Sequence, residues 1–447
     1  MKNSVLNAEI SRDISKRRLF RPFIKRIVAI ILLMIGSTVL LPIGINAFSS
    51  NQITDADGAV HGEDTFVIDI PRNGIAPYDG SNACIEESEV SVSANAAFLC
   101  TAGGQVLFSK RQDEKLPMAS ITKVMTALVV IENVRDLQKT VKVSPLAVGI
   151  EGSSVYLKTG DAVTVLDLLY ALMLSSANDA AVALAVDTAG SVEAFVSLMN
   201  RKATTLGMSS TAFVNPHGLR AEGHYTTARE YGRLMANAIK NSVFKDISGT
   251  LRKNIYVNGV VRSLYNHNRL LYSCDGVFCG KTGYTVSSGR TLVTVAERNG
   301  ATLICVTLNA PDDWNDHKKL YDIGFSRVSV TDFKTEDLSF KLPIVGSDIG
   351  YENVTVSSER NIRVVLIGDK TEFELKYCYP IFAYAPISKG ERIGYIKIVV
   401  DSGWEHTVSL VSLENIPAQN ETKGVLWRLN AMWKSLTNKE KENLHNE

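Results

Sequence analysis

A chain that carries Ser120-Ile121-Thr122-Lys123, Ser176-Ala177-Asn178 and Lys281-Thr282-Gly283 in that order must fold so that three segments far apart in sequence meet. Together the motifs hold what covalent acyl transfer needs: a hydroxyl nucleophile, an amine to act as its base, and groups that orient the acyl donor. None is informative alone. The same chain has a second S-x-x-K at Ser242 to Lys245, further S-x-N triplets at Ser49 and Ser93, and a second K-T-G at Lys158 to Gly160. Order and context must choose among the copies.

Ser120 is followed by Ile121, Val124, Met125, Leu128, Val129 and Ile131 at helical spacing, with Val130 outside the stripe, so a largely buried helix is expected to begin near Ser120. A serine in a first turn sits at the positive end of the helix dipole, and Lys123, three residues on, shares its face. A solvated lysine is no base at neutral pH, but desolvation and a second cation lower its pKa; Lys281 is a candidate for that cation. Ser242-Val243-Phe244-Lys245 follows the S-x-N triplet and lies in a polar stretch, which excludes it as the nucleophile. Lys158-Thr159-Gly160 runs into Thr164-Val165-Leu166-Asp167, a helix start with a capping-box pattern, and reads as a structural turn. Lys281-Thr282-Gly283 instead follows Gly276 and Gly280 and precedes Arg290-Thr291-Leu292-Val293-Thr294-Val295, a buried strand by its β-branched content. Glycine there lets an extended peptide lie against a strand edge.

With these motifs stand Pro117-Met118-Ala119 before the serine, Glu151-Gly152-Ser153-Ser154, Asp179-Ala180-Ala181 and Asn215-Pro216-His217-Gly218-Leu219. In this combination the chain resembles the serine D-alanyl-D-alanine carboxypeptidases, the low-molecular-weight penicillin-binding proteins of peptidase family S11, from about Ala94 to Ser326. The resemblance implies an α+β fold: a β-lactamase/transpeptidase-like domain, with a five-stranded antiparallel sheet, covering helices and a helical subdomain, followed by a small all-β sandwich. It also implies roles. Ser120 attacks the penultimate D-alanine carbonyl with Lys123 as general base, Ser176 passes a proton to the departing amine, and Asn178 orients Lys123 or the substrate amide. Lys281 and Thr282 hold the terminal carboxylate beside Gly283, and the backbone N–H groups of Ser120 and Tyr284 form the oxyanion hole. The implied partners are a peptidoglycan stem peptide ending in D-Ala-D-Ala and β-lactam antibiotics; no cofactor or metal is implied.

The chain departs from the family pattern in three places. Some relatives have an arginine some distance after the lysine motif, where this sequence reads Ala310-Pro311-Asp312-Asp313-Trp314, leaving Arg290 as a candidate. Ala177 replaces a common glycine, and His217 is expected to be a buried, hydrogen-bonded structural histidine. Two other readings remain. A β-lactamase shares the nucleophile, but no E-x-x-x-N lies between Ser176 and Lys281; a non-catalytic wall-binding protein would be expected to have lost a motif.

Lys and Arg number 48 against 47 Asp and Glu, a balance that gives no reason to expect nucleic acid as a partner. Six scattered cysteines form neither a zinc pattern nor a disulfide scaffold, and Cys274 and Cys279 are either bridged or two buried thiols. Asp55-Ala56-Asp57-Gly58 lacks the ligands of a calcium loop. Basic residues from Lys16 to Arg26 precede an apolar run, Ile27 to Ile45, which makes 1–47 a signal peptide or signal anchor. Residues 48–87 read as a polar linker, 88–328 as the catalytic domain and 332–415 as the β-sandwich, with Arg363–Ile367, Ile396–Val400 and Thr407–Val411 as its clearest strands. In 420–440, Val425, Leu426, Leu429, Met432, Trp433 and Leu436 make one helical stripe, an amphipathic membrane-surface anchor or a helix packed on its own domain. The expected location is the extracytoplasmic face of the cell membrane.

Overall fold

The computed structural model describes residues 65–69, 84–347, 353–368, 373–400 and 405–418. The expected signal segment and the C-terminal amphipathic helix lie outside these residues. Among the described residues no single helix is long and apolar enough to cross a membrane.

A five-stranded antiparallel sheet organises the catalytic region. Its strands are β1 (Ala96–Thr101), β2 (Val106–Lys110), β3 (Val277–Thr285), β4 (Gly289–Arg298) and β5 (Ala301–Leu308), in the order β2-β1-β5-β4-β3. Every residue of β1 and β5 is buried, because helices cover both faces of the sheet. Alternate side chains divide between two cores: Phe98, Val293, Val295, Ile304 and Val306 enter one, and Leu99, Leu292, Leu303 and Cys305 the other. β3 is an edge strand, hydrogen-bonded only to β4.

The first core is closed by α1 (Lys123–Asn133), α2 (Val165–Leu174), α3 (Asn178–Ala189), α4 (Val192–Thr205), α5 (Ala228–Ala238) and α6 (Ser242–Gly249). α1 is buried from Lys123 through Val130, so Val130 belongs to the core and not outside a stripe. Thr164 caps α2 by accepting the Asp167 N–H at 3.0 Å, as the capping pattern predicts, but the Asp167 carboxylate turns away to the Tyr256 N–H at 3.1 Å. The second core is closed by α7 (Asp313–Ser326), through Leu320 and Tyr321.

Beyond α7 the described residues form strands and the turns between them. A six-stranded sheet is built from Phe340–Val345, Asn353–Ser358, Phe373–Cys378, Ala383–Tyr384, Arg392–Val400 and Glu405–Ser412. It shares a core with a three-stranded sheet: Leu342, Val354, Ile396, Ile398 and Leu410 on one side meet Ile68, Ile362, Val364 and Leu366 on the other. The expected sandwich is therefore present, with one correction. Thr65–Asp69, inside the stretch expected to be a polar linker, is a strand paired in parallel with Asn361–Ile367, which pairs on its other side with Val328–Phe333. Val67 and Ile68 are buried there, and at about 1.5–3 kcal/mol for each enclosed aliphatic side chain they hold the segment in place. Ile85, also within the expected linker, packs into the second core.

Candidate active site

Ser120 lies in a 3-10 turn, Ala119–Thr122, that runs into α1. In such a turn side chains three apart eclipse, which is why Ser120 and Lys123 align before the α-helix is established. Ala119 takes a left-handed conformation (φ 49°), and Gly218 lets the facing loop approach it: a Cβ on Gly218 would lie 2.0 Å from the Ala119 carbonyl oxygen.

Lys123 is fully buried, and its Nζ lies 2.9 Å from Ser120 Oγ, 2.7 Å from Asn178 Oδ1 and 2.6 Å from the His217 carbonyl oxygen. The Asn178 amide is oriented by its Nδ2, which donates to the Glu151 carbonyl at 2.6 Å. Two of the three partners of Lys123 can therefore only accept. A neutral amine that gives its two N–H groups to them keeps its lone pair for the Ser120 hydroxyl. Burial, and then the Lys281 cation, hold the Lys123 pKa well below the ordinary lysine value, while Asp179 opposes the shift. Lys281 is itself buried, which lowers its pKa to about 7.

Asp179, in the first turn of α3, was quoted with the motifs but given no role from the sequence. It accepts from Ser154 Oγ at 2.6 Å, Val155 N–H at 3.2 Å and Leu157 N–H at 3.0 Å, and so fixes the Glu151–Leu157 loop that in turn holds Asn178. An acid directly after S-x-N, at a helix N-terminus, was the available signal. Ser176 has φ 56°, left-handed and strained for a serine, and its buried Oγ has no hydrogen-bond partner among the described residues. His217 is half-buried, and its carbonyl, not its ring, meets Lys123; the ring Nδ1 accepts the Leu219 N–H at 3.1 Å. Burial first, then Lys123, lowers the His217 pKa to about 3, so the ring is neutral. His224, also missed in the sequence, accepts the Val214 N–H at Nδ1 (3.0 Å), which leaves the proton on Nε2 to donate to Thr122 Oγ1 at 2.8 Å. It braces the turn that carries Ser120.

The Lys281-Thr282-Gly283-Tyr284 run lies within edge strand β3, with Gly283 opposite Thr291 of β4. A Cβ on Gly283 would lie 2.4 Å from Thr291 Oγ1 and 2.9 Å from the Ser120 backbone nitrogen, so glycine is what allows the strand to press against the Ser120 turn. Ser120, Ser153, Ser176, Thr282, Gly283, Tyr284 and Arg290 line one cleft of ≈ 550 Å³. Lys281 is not among its lining residues; its Nζ donates to the Thr282 carbonyl at 3.0 Å. Arg290 donates from Nε to Asp313 Oδ1 at 2.9 Å and stacks 5.2 Å above the Trp314 ring, so it stands in the cleft with its guanidinium braced. The second K-T-G and the second S-x-x-K are elsewhere: Gly160 makes a turn at φ 83°, and Lys245 borders a separate groove with Phe278 and Glu297. Cys274 and Cys279 are free thiols and not bridged.

The sequence signature described as D-alanyl-D-alanine carboxypeptidase, Peptidase_S11, matches residues 83–312. The chain belongs to this family. The carboxypeptidase DacC of Escherichia coli (strain K12) is 34% identical over 348 residues, which cover 73% of this chain and 85% of that protein. DacF of Bacillus subtilis (strain 168) is 30% identical, over 70% of this chain and 83% of the relative. Among solved structures, penicillin binding protein 5 from Haemophilus influenzae aligns with TM-score 0.57 at 25% identity, covering 73% of this chain and 98% of that one. The Streptomyces K15 DD-transpeptidase aligns with TM-score 0.51 at 31% identity, covering 53% of this chain and 98% of its own. This carboxypeptidase thus shares its fold with these solved structures, over more of the chain in the first than in the second.

Proposed function

We propose that this carboxypeptidase removes the terminal D-alanine from peptidoglycan stem pentapeptides through an acyl-enzyme on Ser120, and that β-lactams acylate the same serine. The carrying observation is the environment of Lys123, whose two carbonyl-type acceptors leave the lone pair of a neutral amine directed at Ser120 Oγ. Lys123 takes the hydroxyl proton as Ser120 attacks. The oxyanion is met by the backbone N–H groups of Ser120 and Tyr284, a reading supported by the close approach of Gly283 to the Ser120 nitrogen. Ser176, whose Oγ lacks a partner until substrate arrives, passes the proton to the departing D-alanine amine. Asn178 holds Lys123 in place, and Thr282 with Arg290 receives the terminal carboxylate. Lys281 adds positive charge beneath that end of the cleft and lowers the proton affinity of Lys123. Water then releases the shortened peptide.

The product formed from a soluble pentapeptide tests the reading: one D-alanine per turnover and a tetrapeptide are expected. Cleavage at an internal bond, or no release, would sink it. The reaction calls for location outside the cytoplasmic membrane, which the basic and apolar residues before Asn46 and the apolar stripe from Val425 to Leu436 support as export and membrane attachment.

The two lysines set a pH dependence. Lys123 works neutral, so kcat/KM rises as pH climbs through its lowered pKa. Lys281 works charged, and its support of the substrate carboxylate is lost as pH rises above about 7. For a peptide ending in a carboxylate, kcat/KM is expected to rise, peak and then decline above about pH 7 to a plateau sustained by Arg290. An ester substrate without the carboxylate is expected to show the rise and no decline. Identical profiles for the two substrates would remove Lys281 from carboxylate recognition.

A further inference from the structure

One loop of the β-rich region keeps apolar side chains in solvent that the carboxypeptidase reaction does not use. Tyr379-Pro380-Ile381-Phe382 joins Phe373–Cys378 to Ala383–Tyr384, and Tyr379, Ile381 and Tyr384 are 39%, 59% and 66% exposed. The exposure is held by packing from beneath. The Tyr379 ring lies 4.3 Å from Phe340, and Phe382 meets Tyr384 edge-on at 5.3 Å, so the rings are braced on one side and open on the other. Contiguous apolar surface of this kind on a soluble domain marks an interaction site more often than chance does.

The path of the chain indicates the occupant. Val345 pairs with Tyr384, and its carbonyl accepts the Ala385 N–H at 3.0 Å; two residues on, Ser347 bridges Ala418, where the described chain ends. Val425, the first residue of the apolar stripe, is seven positions beyond Ala418. Seven residues, even fully extended, reach about 24 Å. If the stripe lies in a bilayer interface, Ala418 is held within that distance of it, and the loop lies only the Ser347 bridge and the Val345–Tyr384 pair away from Ala418.

We propose that the Tyr379–Tyr384 loop is a lipid-docking surface that seats the β-rich region on a bilayer beside the C-terminal stripe. The proposal rests on the membrane attachment read above. Tyrosine rings with polar tips suit the headgroup level, and Ile381 and Pro380 supply the aliphatic edge that enters below it. Lys389 and Arg392 are exposed nearby, but Glu391 stands between them, so the contact is chiefly apolar with a small preference for anionic lipid. A second contact also converts a one-point tether into a two-point one, in which the loop meets the bilayer at the effective concentration its short tether sets.

The test uses the full chain and vesicles of phosphatidylethanolamine with phosphatidylglycerol. Tryptophan is introduced as Ile381→Trp or, for comparison, as Tyr156→Trp, a site 81% exposed on the catalytic region. The fluorescence that I381W adds over the parent chain is expected to shift to the blue and to be quenched by lipids brominated near the headgroup; that added by Y156W is not. An Ile381→Glu, Tyr384→Glu double variant is expected to partition about tenfold more weakly into vesicles while reacting with penicillin at the parent rate. Binding of the parent chain without quenching at residue 381 overturns the docking surface and leaves the attachment reading standing. Failure of the parent chain to bind vesicles overturns both, while D-alanine release in solution judges the carboxypeptidase reading separately. A double variant that loses self-association in sedimentation, with vesicle binding unchanged, assigns the surface to a second copy and overturns the proposal.

Discussion

Ser120→Ala is expected to lower D-alanine release by roughly four to six orders of magnitude and to abolish covalent penicillin labelling, because nothing else in the cleft replaces the nucleophile. The fold should hardly notice. Lys123 loses one of three hydrogen-bond partners but keeps Asn178 Oδ1 and the His217 carbonyl, so the stability change should stay within about 1 kcal/mol. Mass spectrometry of the penicillin adduct and a thermal melt on the same sample separate the two effects. An adduct that persists, or appears on Ser242, would reassign the nucleophile to the other S-x-x-K copy.

Exchanging either lysine for arginine should give unequal losses despite equal charge. Lys123→Arg removes the amine hydrogen-bonded to Ser120 Oγ, and guanidinium stays protonated at any working pH. It must also fit a planar fork where Nζ has three partners within 2.9 Å. Acylation should fall about 10²- to 10⁴-fold, the usual worth of a positioned base, for every substrate alike. Lys281→Arg keeps a cation under the cleft, and on the present reading it should retain acylation by an ester that lacks the carboxylate, with the larger loss in KM for the natural peptide. Stopped-flow acylation with both substrate types measures the division. Complete and equal loss of ester acylation in the two variants would contradict it.

Most residues of the cleft were legible because the motif residues are polar in apolar settings. Lys123 stands out in a run of Ile, Val and Met, and that placement already implies desolvation. The groups that hold those residues were not legible, since their roles depend on contacts across the fold. Asp179 binds a loop some two dozen residues earlier, and His224 reaches Thr122 about a hundred residues away. Arg290 could be suspected from sequence, but its position in the cleft follows from Asp313 and Trp314 on the next helix, in the very stretch where an arginine was missing. The five-stranded sheet was expected from the family resemblance, and the β-rich region from short β-like segments separated by turn residues. The strand Thr65–Asp69 did not, because five residues amid acidic and glycine-rich sequence carry too little pattern to distinguish a strand from a linker.

That strand has a consequence for the order in which the molecule assembles. Thr65 is made early, yet its partner Asn361 comes about 300 residues later, and the pairing is parallel at the edge of a three-stranded sheet. Closing so long a loop in an unfolded chain costs several kcal/mol of entropy before any contact repays it, roughly 5 by the logarithmic scaling. Once the catalytic region has condensed, the two ends are already neighbours and most of that cost is gone. The last sheet should therefore close late, as the latch of a structure whose centre is finished. Until then Val67 and Ile68 travel unpaired at the front of the growing chain.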